Sequence, residues 1–227
     1  MIKSIVKFSP KAILFDWDNT LVNNWEPIFI AYKKTLKSLG LKNKSRSETL
    51  KNAKYSLRET FPKVFKDDWK KAKKIFYVVF KKIHLKKIKP MPKAEKILKI
   101  IKKKKITCGV ISNKDGNLLR KEINKLGWKK YFKILVGANE AKKDKPSKYP
   151  LLLALNKISL KPSKNIWYVG DNEIDVEFAK NNKCSSIFIE NKMFKKKDLK
   201  QKPDIILKKN RSFGIIYKVI FIFIKYE

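Results

Sequence analysis

Histidine, cysteine and arginine are scarce in this chain of 227 residues, which has one histidine, two cysteines and four arginines against 53 lysines. Cys108 and Cys184 form no Cys-x-x-Cys or Cys/His pattern, which excludes the usual zinc sites. We expect both to be buried free thiols in a reducing cytoplasm. The single histidine, His84, belongs to no catalytic pattern, and we expect it to be structural or exposed.

Long apolar runs are also lacking. Residues 213–224 are apolar but include Lys218, and this segment is too short for a transmembrane helix, which needs about 20 residues. We expect the segment to pack on the core, and an oligomer contact or a membrane-surface patch are the alternatives. Charged residues and Pro10 interrupt Ile5–Leu14, so no signal peptide is predicted. The sequence thus predicts a cytoplasmic protein without a transmembrane segment.

The formal net charge is +37 and the pI is about 10.1, which raises the alternative of a basic module that binds nucleic acid or another polyanion. However, lysines occur in every segment, including Lys102–Lys105 and Lys195–Lys197, and arginine is rare. We interpret the charge as compositional drift on solvated faces. It should steer small anionic substrates and allow weak polyanion binding at low salt, and no specific nucleic-acid partner is predicted.

Two carboxylates follow an apolar run near the N-terminus, in the sequence I-L-F-D-W-D-N-T-L-V of Ile13–Val22. The run is short and has the composition of a buried strand. Asp16 and Asp18 stand one residue apart, and residues i and i+2 of an extended chain point the same way. We therefore expect both carboxylates in one site, with Thr20 in the following turn.

Polar residues also end two later segments. Ile106–Ile111 is a second apolar run and ends in Ser112-Asn113, whose hydroxyl and backbone amides can hold a phosphate oxygen. Lys145, about thirty residues further on, precedes a proline, and its ammonium can neutralise crowded carboxylates and phosphate. In a chain so rich in lysine, only its position distinguishes Lys145.

A fourth element is the segment Trp167–Asp175, in which a short apolar strand runs into Gly170-Asp171. Gly170 lets the backbone approach closely. Asp175 follows Asp171 by one helical turn, so both carboxylates can face the same site. Together with Asp16 they form an acidic cluster suited to Mg²⁺, which prefers oxygen ligands.

These elements resemble, in order, the four motifs of the haloacid dehalogenase-like (HAD) hydrolase superfamily, and the resemblance covers Lys11 to about Leu207. It implies an α/β fold with a Rossmannoid parallel sheet core and an inserted helical cap. The layout is most similar to that of phosphoglycolate phosphatases. The implied site consists of catalytic Asp16, Asp18 and Lys145, phosphate-binding Ser112 and Asn113, and Mg²⁺ ligands Asp16, Asp18, Asp171 and Asp175.

By the same resemblance, Asp16 attacks phosphorus to form an aspartyl-phosphate, and Asp18 protonates the leaving alcohol and later activates water. An aspartate at the position of Asp18 is typical of phosphatases and phosphomutases. We therefore expect a Mg²⁺-dependent phosphatase of a small phosphorylated metabolite, such as phosphoglycolate, a sugar phosphate or a nucleoside monophosphate. A phosphomutase of the β-phosphoglucomutase type is the alternative.

The order of elements predicts a core domain of residues 1–22 and 90–227 and a helical cap of residues 23–89. No strand is expected between the first motif and Lys89. The predicted helices of the cap are Glu26–Leu39, Ser47–Thr60 and Asp67–Lys82, and a further helix is expected over Asn117–Leu126. Strands are expected near 12–16, 106–111, 133–137, 165–169 and 185–189, with a sixth, edge strand over 203–207.

Substrate specificity is expected to reside in the cap. Asn23–Glu26 follow the first motif and should face the site, whereas Trp17 should pack between cap and core. Where lysine replaces arginine so freely, a remaining arginine is a candidate for a role that needs its planar fork. Arg58 is therefore a candidate ligand for a substrate carboxylate or second phosphate. An exposed arginine without function is the alternative, and Arg120 has the same argument with less support.

Overall fold

Six parallel strands form one sheet in the computed structural model, which describes residues 9–45, 48–49, 55–191 and 194–208. The strands of the fold are β1 (Ala12–Phe15), β2 (Val22–Asn23), β3 (Lys89–Pro90), β4 (Thr107–Asp115), β5 (Ile134–Ala138), β6 (Ile166–Gly170), β7 (Ser185–Glu190) and β8 (Ile205–Lys208). The large sheet has the order β5-β4-β1-β6-β7-β8. The prediction of an α/β fold with a parallel sheet is therefore confirmed.

Seven α-helices begin and end within the described residues. They are α1 (Trp25–Ser38), α2 (Leu57–Phe65), α3 (Trp69–Lys87), α4 (Ala94–Lys103), α5 (Gly116–Lys125), α6 (Tyr149–Asn156) and α7 (Glu173–Asn181), with 3-10 turns at Lys66–Asp68, Lys129–Tyr131 and Lys196–Asp198. Helix α4 buries Ala94, Ile97, Leu98 and Ile101, a spacing that places one apolar stripe against the sheet.

The core lies in two layers, one on each face of the sheet. Ile13 and Phe15 of β1 pack with apolar residues of α4 and α5. Ala12 and Leu14 of the same strand point to the other face and pack with residues of α6 and α7. This alternation follows from the two-residue period of a strand. A sheet covered on both faces leaves its carboxyl edge as the place where polar side chains can meet a ligand.

Helices α1–α3 form the insertion between β2 and β3 and have a separate apolar cluster rich in aromatic rings. The chain leaves and re-enters the core through a two-residue antiparallel pairing, in which Val22 lies opposite Pro90 and Asn23 opposite Lys89. The sequence did not predict this pairing, because two residues are too few to show a strand periodicity.

Several predicted bounds were wrong. The helix expected over Ser47–Thr60 is interrupted, since Tyr55 and Ser56 are not helical and Ser56 has extended φ and ψ angles before α2 begins. Helix α3 continues five residues beyond the expected end at Lys82, so His84 lies inside it and is buried. Strand β4 continues beyond Ile111 because it resumes pairing with β5 after a register shift.

Three remaining expectations concern the rest of the chain. The apolar segment 213–224 lies outside the described residues. Within the described ranges, none of the helices has the length and apolar character needed to cross a membrane. Cys108 and Cys184 are both buried and free.

Candidate active site

The carboxyl ends of three neighbouring strands bring the predicted site residues together. Phe15, the last residue of β1, lies opposite Val110 of β4 and Val169 of β6. The residues that follow these positions therefore share one edge of the sheet. Carboxylate oxygens of Asp16, Asp171 and Asp175 lie within 4.8 Å of one another, and all three residues are buried.

Lys145 lies at the centre of this acidic cluster. Its Nζ is 2.8 Å from Asp16 Oδ1 and 2.8 Å from Asp175 Oδ1. Nζ also lies 2.7 Å from the Tyr168 hydroxyl, which in turn donates to the carbonyl of Ile111 at 2.7 Å. Burial lowers the pKa of Lys145, but Asp16 and Asp175 outweigh it, and the net pKa is raised well above its usual value. The ammonium is thus held charged beside Asp16.

The role of Tyr168 was not predicted. The sequence signal was present, because a tyrosine in an otherwise apolar buried strand needs a partner for its hydroxyl.

Asn113, in β4, holds the backbone of Lys145 in place. Its Oδ1 accepts from the Lys145 amide at 3.0 Å, and its Nδ2 donates to the Lys145 carbonyl at 3.1 Å. Two hydrogen bonds therefore tie the second predicted motif to the third.

Asp175 is held by several donors. One of its oxygens accepts from the backbone amides of Asp171 and Asn172 at 3.1 and 3.2 Å, and the other accepts from Lys145. A Cβ at Gly170 would overlap the Asp175 carboxylate, which explains why this position needs glycine. Both carboxylate oxygens of Asp175 already accept hydrogen bonds, from Lys145 and from two backbone amides. Asp175 is therefore better suited to orient the cluster than to bind a cation directly.

The acidic cluster fits a divalent cation by its charge. Three carboxylates face a single ammonium, and the excess negative charge is buried. Burial, with Asp175 and Asp16, raises the pKa of Asp171 well above its usual value. Burial also raises the pKa of Asp16 to about 7, although Lys145 opposes the rise. Such a cluster of oxygen ligands with uncompensated charge suits Mg²⁺.

The side chain of Asp18 has different partners. Asp18 Oδ1 lies 3.1 Å from Lys114 Nζ and accepts from Asn24 Nδ2 at 2.7 Å. Lys114 Nζ also lies 3.1 Å from Glu122 Oε1, and Glu122 contacts His84 as well. Burial raises the pKa of Asp18, and Lys114 opposes this rise. The carboxyl can therefore hold a proton more easily than an exposed aspartate.

Lys114, Glu122 and His84 were not predicted as parts of the site. Lys114 directly follows Ser112-Asn113, but in a chain with 53 lysines its type carries no signal. Glu122 is completely buried in α5, which a helical stripe alone does not distinguish from an exposed glutamate. Glu122 also accepts from Trp17, which is 105 positions away in the sequence. Only the fold brings such distant partners together.

Arg58 is paired with a core residue. Its guanidinium contacts Asp144 through Nη2 at 2.7 Å and Nε at 3.1 Å, the two-point geometry typical of arginine and carboxylate. Asp144 precedes Lys145, and Arg58 is absent from the described lining of the cleft. Its proposed contact with substrate stays a prediction. Arg120 is also paired with a carboxylate, through one contact of Nη1 with Glu140.

The residues within and just after the first motif have different environments. Trp17 is buried in the core and makes edge-to-face contacts with Trp128 and Phe132. Trp25 lines the cleft, as expected of a residue facing the site. Glu26, by contrast, pairs with Lys87 on the surface.

A cleft opens between the acidic cluster and the helical insertion and encloses about 930 Å³ of empty space, including the part open to solvent. Its floor contains the predicted site residues Asp16, Asp18, Ser112, Asn113, Lys145 and Asp171. The insertion contributes mainly aromatic and apolar groups, which are Trp25, Ile28, Tyr32, Tyr55, Leu57, Phe61, Phe76, Tyr77 and Phe80, together with Thr49 and Thr60. The arrangement can bind a small anionic substrate on the floor and an apolar group against the insertion.

The fold is of the α/β class, and the site places Asp16, a candidate nucleophile, at the carboxyl edge of the parallel sheet. The family model for haloacid dehalogenase-like hydrolases matches residues 13–189. The chain belongs to the haloacid dehalogenase-like hydrolase family. The prediction of an enzyme of the phosphoric monoester hydrolase class is confirmed.

Individual relatives agree with this assignment. A phosphoglycolate phosphatase of Aquifex aeolicus is 33% identical over 174 residues, which cover 75% of this chain and 80% of the relative. A pyrophosphatase PpaX of Oceanobacillus iheyensis is 26% identical over 172 residues, 74% of this chain and 78% of that protein. Among solved structures, a haloacid dehalogenase-like family hydrolase from Streptococcus pneumoniae matches with a TM-score of 0.81 and 20% identity over 92% of this chain and 98% of its own. This last likeness concerns the fold alone.

Proposed function

We propose that the protein is a Mg²⁺-dependent phosphatase that hydrolyses a small phosphomonoester through an aspartyl-phosphate on Asp16. The observation that carries the proposal is the contact of Asp16 with Lys145 beside Asp171, with Asp18 two residues further on in the same cleft. We also propose that residues 1–22 and 90–227 form the core and residues 23–89 the cap that covers the cleft.

The proposed ligands of Mg²⁺ are the Asp16 and Asp171 carboxylates and the Asp18 backbone carbonyl, with Asp175 orienting the group. When bound, the ion would neutralise charge on the phosphoryl group and on Asp16. Lys145 contributes a second positive charge at the Asp16 carboxylate. Phosphoryl transfer depends mainly on such positioning and charge neutralisation.

The chain's own residues supply the remaining steps. An oxygen of Asp16 attacks phosphorus while Ser112, the Asn113 backbone and Lys145 bind the phosphoryl oxygens. Asp18, whose pKa is raised by burial, gives its proton to the leaving alcohol oxygen. The resulting Asp18 carboxylate then accepts a proton from the water that hydrolyses the aspartyl-phosphate, which restores both aspartates.

Two observations bear on the substrate. The phosphoglycolate phosphatase of Aquifex aeolicus supports phosphoglycolate as a first candidate. The aromatic groups that the insertion presents to the cleft favour an alcohol with an apolar face as the second. The described lining includes lysines of the core, Lys114 and Lys145, which would meet the phosphate rather than a distant carboxylate.

Phosphate release from a panel of phosphorylated compounds tests the proposal. The panel contains phosphoglycolate, a sugar phosphate, a nucleoside monophosphate, inorganic pyrophosphate and benzyl phosphate, each with Mg²⁺ or with EDTA. Asp16→Asn should abolish turnover, and Asp67→Asn, a matched change at an exposed aspartate, should leave it unchanged. Equal turnover in Asp16→Asn and wild type would refute the proposed nucleophile, and full activity in EDTA would refute the metal requirement.

A further inference from the structure

We infer that Glu122 is a positioning residue for Asp18, acting through Lys114, and that His84 and Asn24 make this arrangement depend on the docking of the helical insertion. The inference rests on the proposed function, in which Asp18 is the acid and base. The residues Trp17, Asp18, Asn24, His84, Lys114 and Glu122 are called the Glu122 network below.

Glu122 is the centre of this network. Its Oε1 lies 2.7 Å from His84 Nδ1 and 3.1 Å from Lys114 Nζ. Its Oε2 accepts from Trp17 Nε1 at 2.6 Å and from Asn24 Nδ2 at 3.0 Å. Burial raises the pKa of Glu122, but Lys114 and the other donors outweigh burial, so the net pKa is lowered. A fully buried carboxylate with four partners from four separate segments is held in one orientation.

Lys114 carries this orientation to the reacting side chain. Its Nζ lies between the carboxylates of Glu122 and Asp18 and 4.6 Å from the centre of the Phe80 ring. Asn24 forms a second connection, because its Nδ2 contacts both Asp18 and Glu122. Asp18 Oδ1 is therefore approached by two donors, and both of these donors are anchored on Glu122.

Two members of the network belong to the proposed cap, residues 23–89. Asn24 directly follows β2, and His84 lies near the end of α3. His84 is stacked on Phe80, which is stacked on Phe76, so these three rings share one face of α3. The hydrogen bond from His84 to Glu122 forms only when α3 packs against α5. The position of Asp18 is thus linked to the position of the insertion.

The dependence of kcat/KM on the leaving group distinguishes a role of Glu122 in positioning Asp18 from a role in stabilising the fold. Departure of an alkoxide needs a proton from Asp18, whereas departure of p-nitrophenolate hardly does. The measured quantity is kcat/KM for benzyl phosphate and p-nitrophenyl phosphate, two esters of similar size. The variants are Glu122→Gln, which keeps the shape, and His84→Gln, which leaves the other donors of Glu122 in place. Glu95→Gln, at a half-buried glutamate that accepts from the Tyr131 hydroxyl, is the matched control.

We expect kcat/KM for benzyl phosphate to fall roughly 10- to 100-fold in Glu122→Gln, about the effect of misplacing a general acid, and less in His84→Gln. For p-nitrophenyl phosphate we expect a change below about threefold, and Glu95→Gln should match wild type on both esters. Equal losses on the two esters would mean a purely structural role and overturn the inference, as would unchanged kinetics. Because His84→Gln is measured alongside, the result does not depend on the folding of Glu122→Gln. The proposed function fails separately, if the wild type releases phosphate from no compound of the panel above, and the inference then fails with it.

Discussion

Replacement of Asp16 by asparagine should stabilise the metal-free protein at neutral pH while it removes activity. The pKa of Asp16 is about 7, against 3.8 for an unperturbed aspartate. Between these pH values the native state binds more protons than the unfolded chain, so stability falls as pH rises from about 4 to about 7. A difference of about 3 pKa units corresponds to about 4 kcal/mol of unfolding free energy that ionised Asp16 costs above pH 7.

Asparagine has the same shape and no charge, and it therefore avoids this cost. Lys145 keeps two partners in the variant, Asp175 and the Tyr168 hydroxyl. In EDTA at pH 7.5 we expect Asp16→Asn to unfold about 4 kcal/mol less readily than wild type, or at a melting temperature roughly 8–16 °C higher for a chain of this size. The gain should fall to a small fraction near pH 4, where wild-type Asp16 is protonated in the native state and about half protonated in the unfolded chain.

Urea unfolding of both proteins in EDTA at several pH values between 4 and 7.5 measures this difference. Asp67→Asn serves as the control, because an exposed aspartate should give no comparable gain. A variant that is less stable than wild type at pH 7.5, or a gain that is the same at pH 4, would show that Asp16 is not a costly buried carboxylate.

Three further changes address the same cluster. Millimolar Mg²⁺ should raise the unfolding free energy of the wild type by about 2.7 kcal/mol at 100 times the dissociation constant, and hence its melting temperature, and Asp171→Asn should remove most of this rise in thermal scans. Gly170→Ala should lower the unfolding free energy by about 2 kcal/mol or more and reduce phosphate release, because its Cβ would overlap the Asp175 carboxylate; a neutral effect in urea would contradict the described packing. Lys145→Met should leave Asp16 and Asp175 without their shared cation, at a cost of about 3 kcal/mol in urea unfolding at pH 7.5, and an unchanged midpoint would argue against the buried ion pairs.

The sheet was predictable because each core strand is a short apolar run that ends in a polar or glycine residue. Strand β1 pairs in parallel with β4 and β6, and this pairing brings Asp16 and Asp171 to one edge. For these residues, order along the chain and the rule about carboxyl ends of strands were sufficient.

The Glu122 network could not be predicted in the same way. Its hydrogen bonds depend on the angle at which α3 packs against α5, and the hydrophobic periodicity of a sequence does not predict helix packing angles. The partner of Arg58 was equally hidden, because Asp144 is 86 positions away and belongs to the loop before Lys145. Sequence patterns locate residues on elements, whereas contacts between elements decide which charges meet.

The distribution of the lysines has a consequence for chemical labelling. Among the described residues, Lys114 and Lys145 are the lysines in the buried class, and both lie on the floor of the cleft. The other lysines whose exposure the structure describes are half-buried or exposed, so an amine reagent meets them first. Reductive methylation of the native protein should therefore coat its outer amines and spare these two. The surface lysines can then be used for labelling or immobilisation while the floor of the cleft stays unmodified.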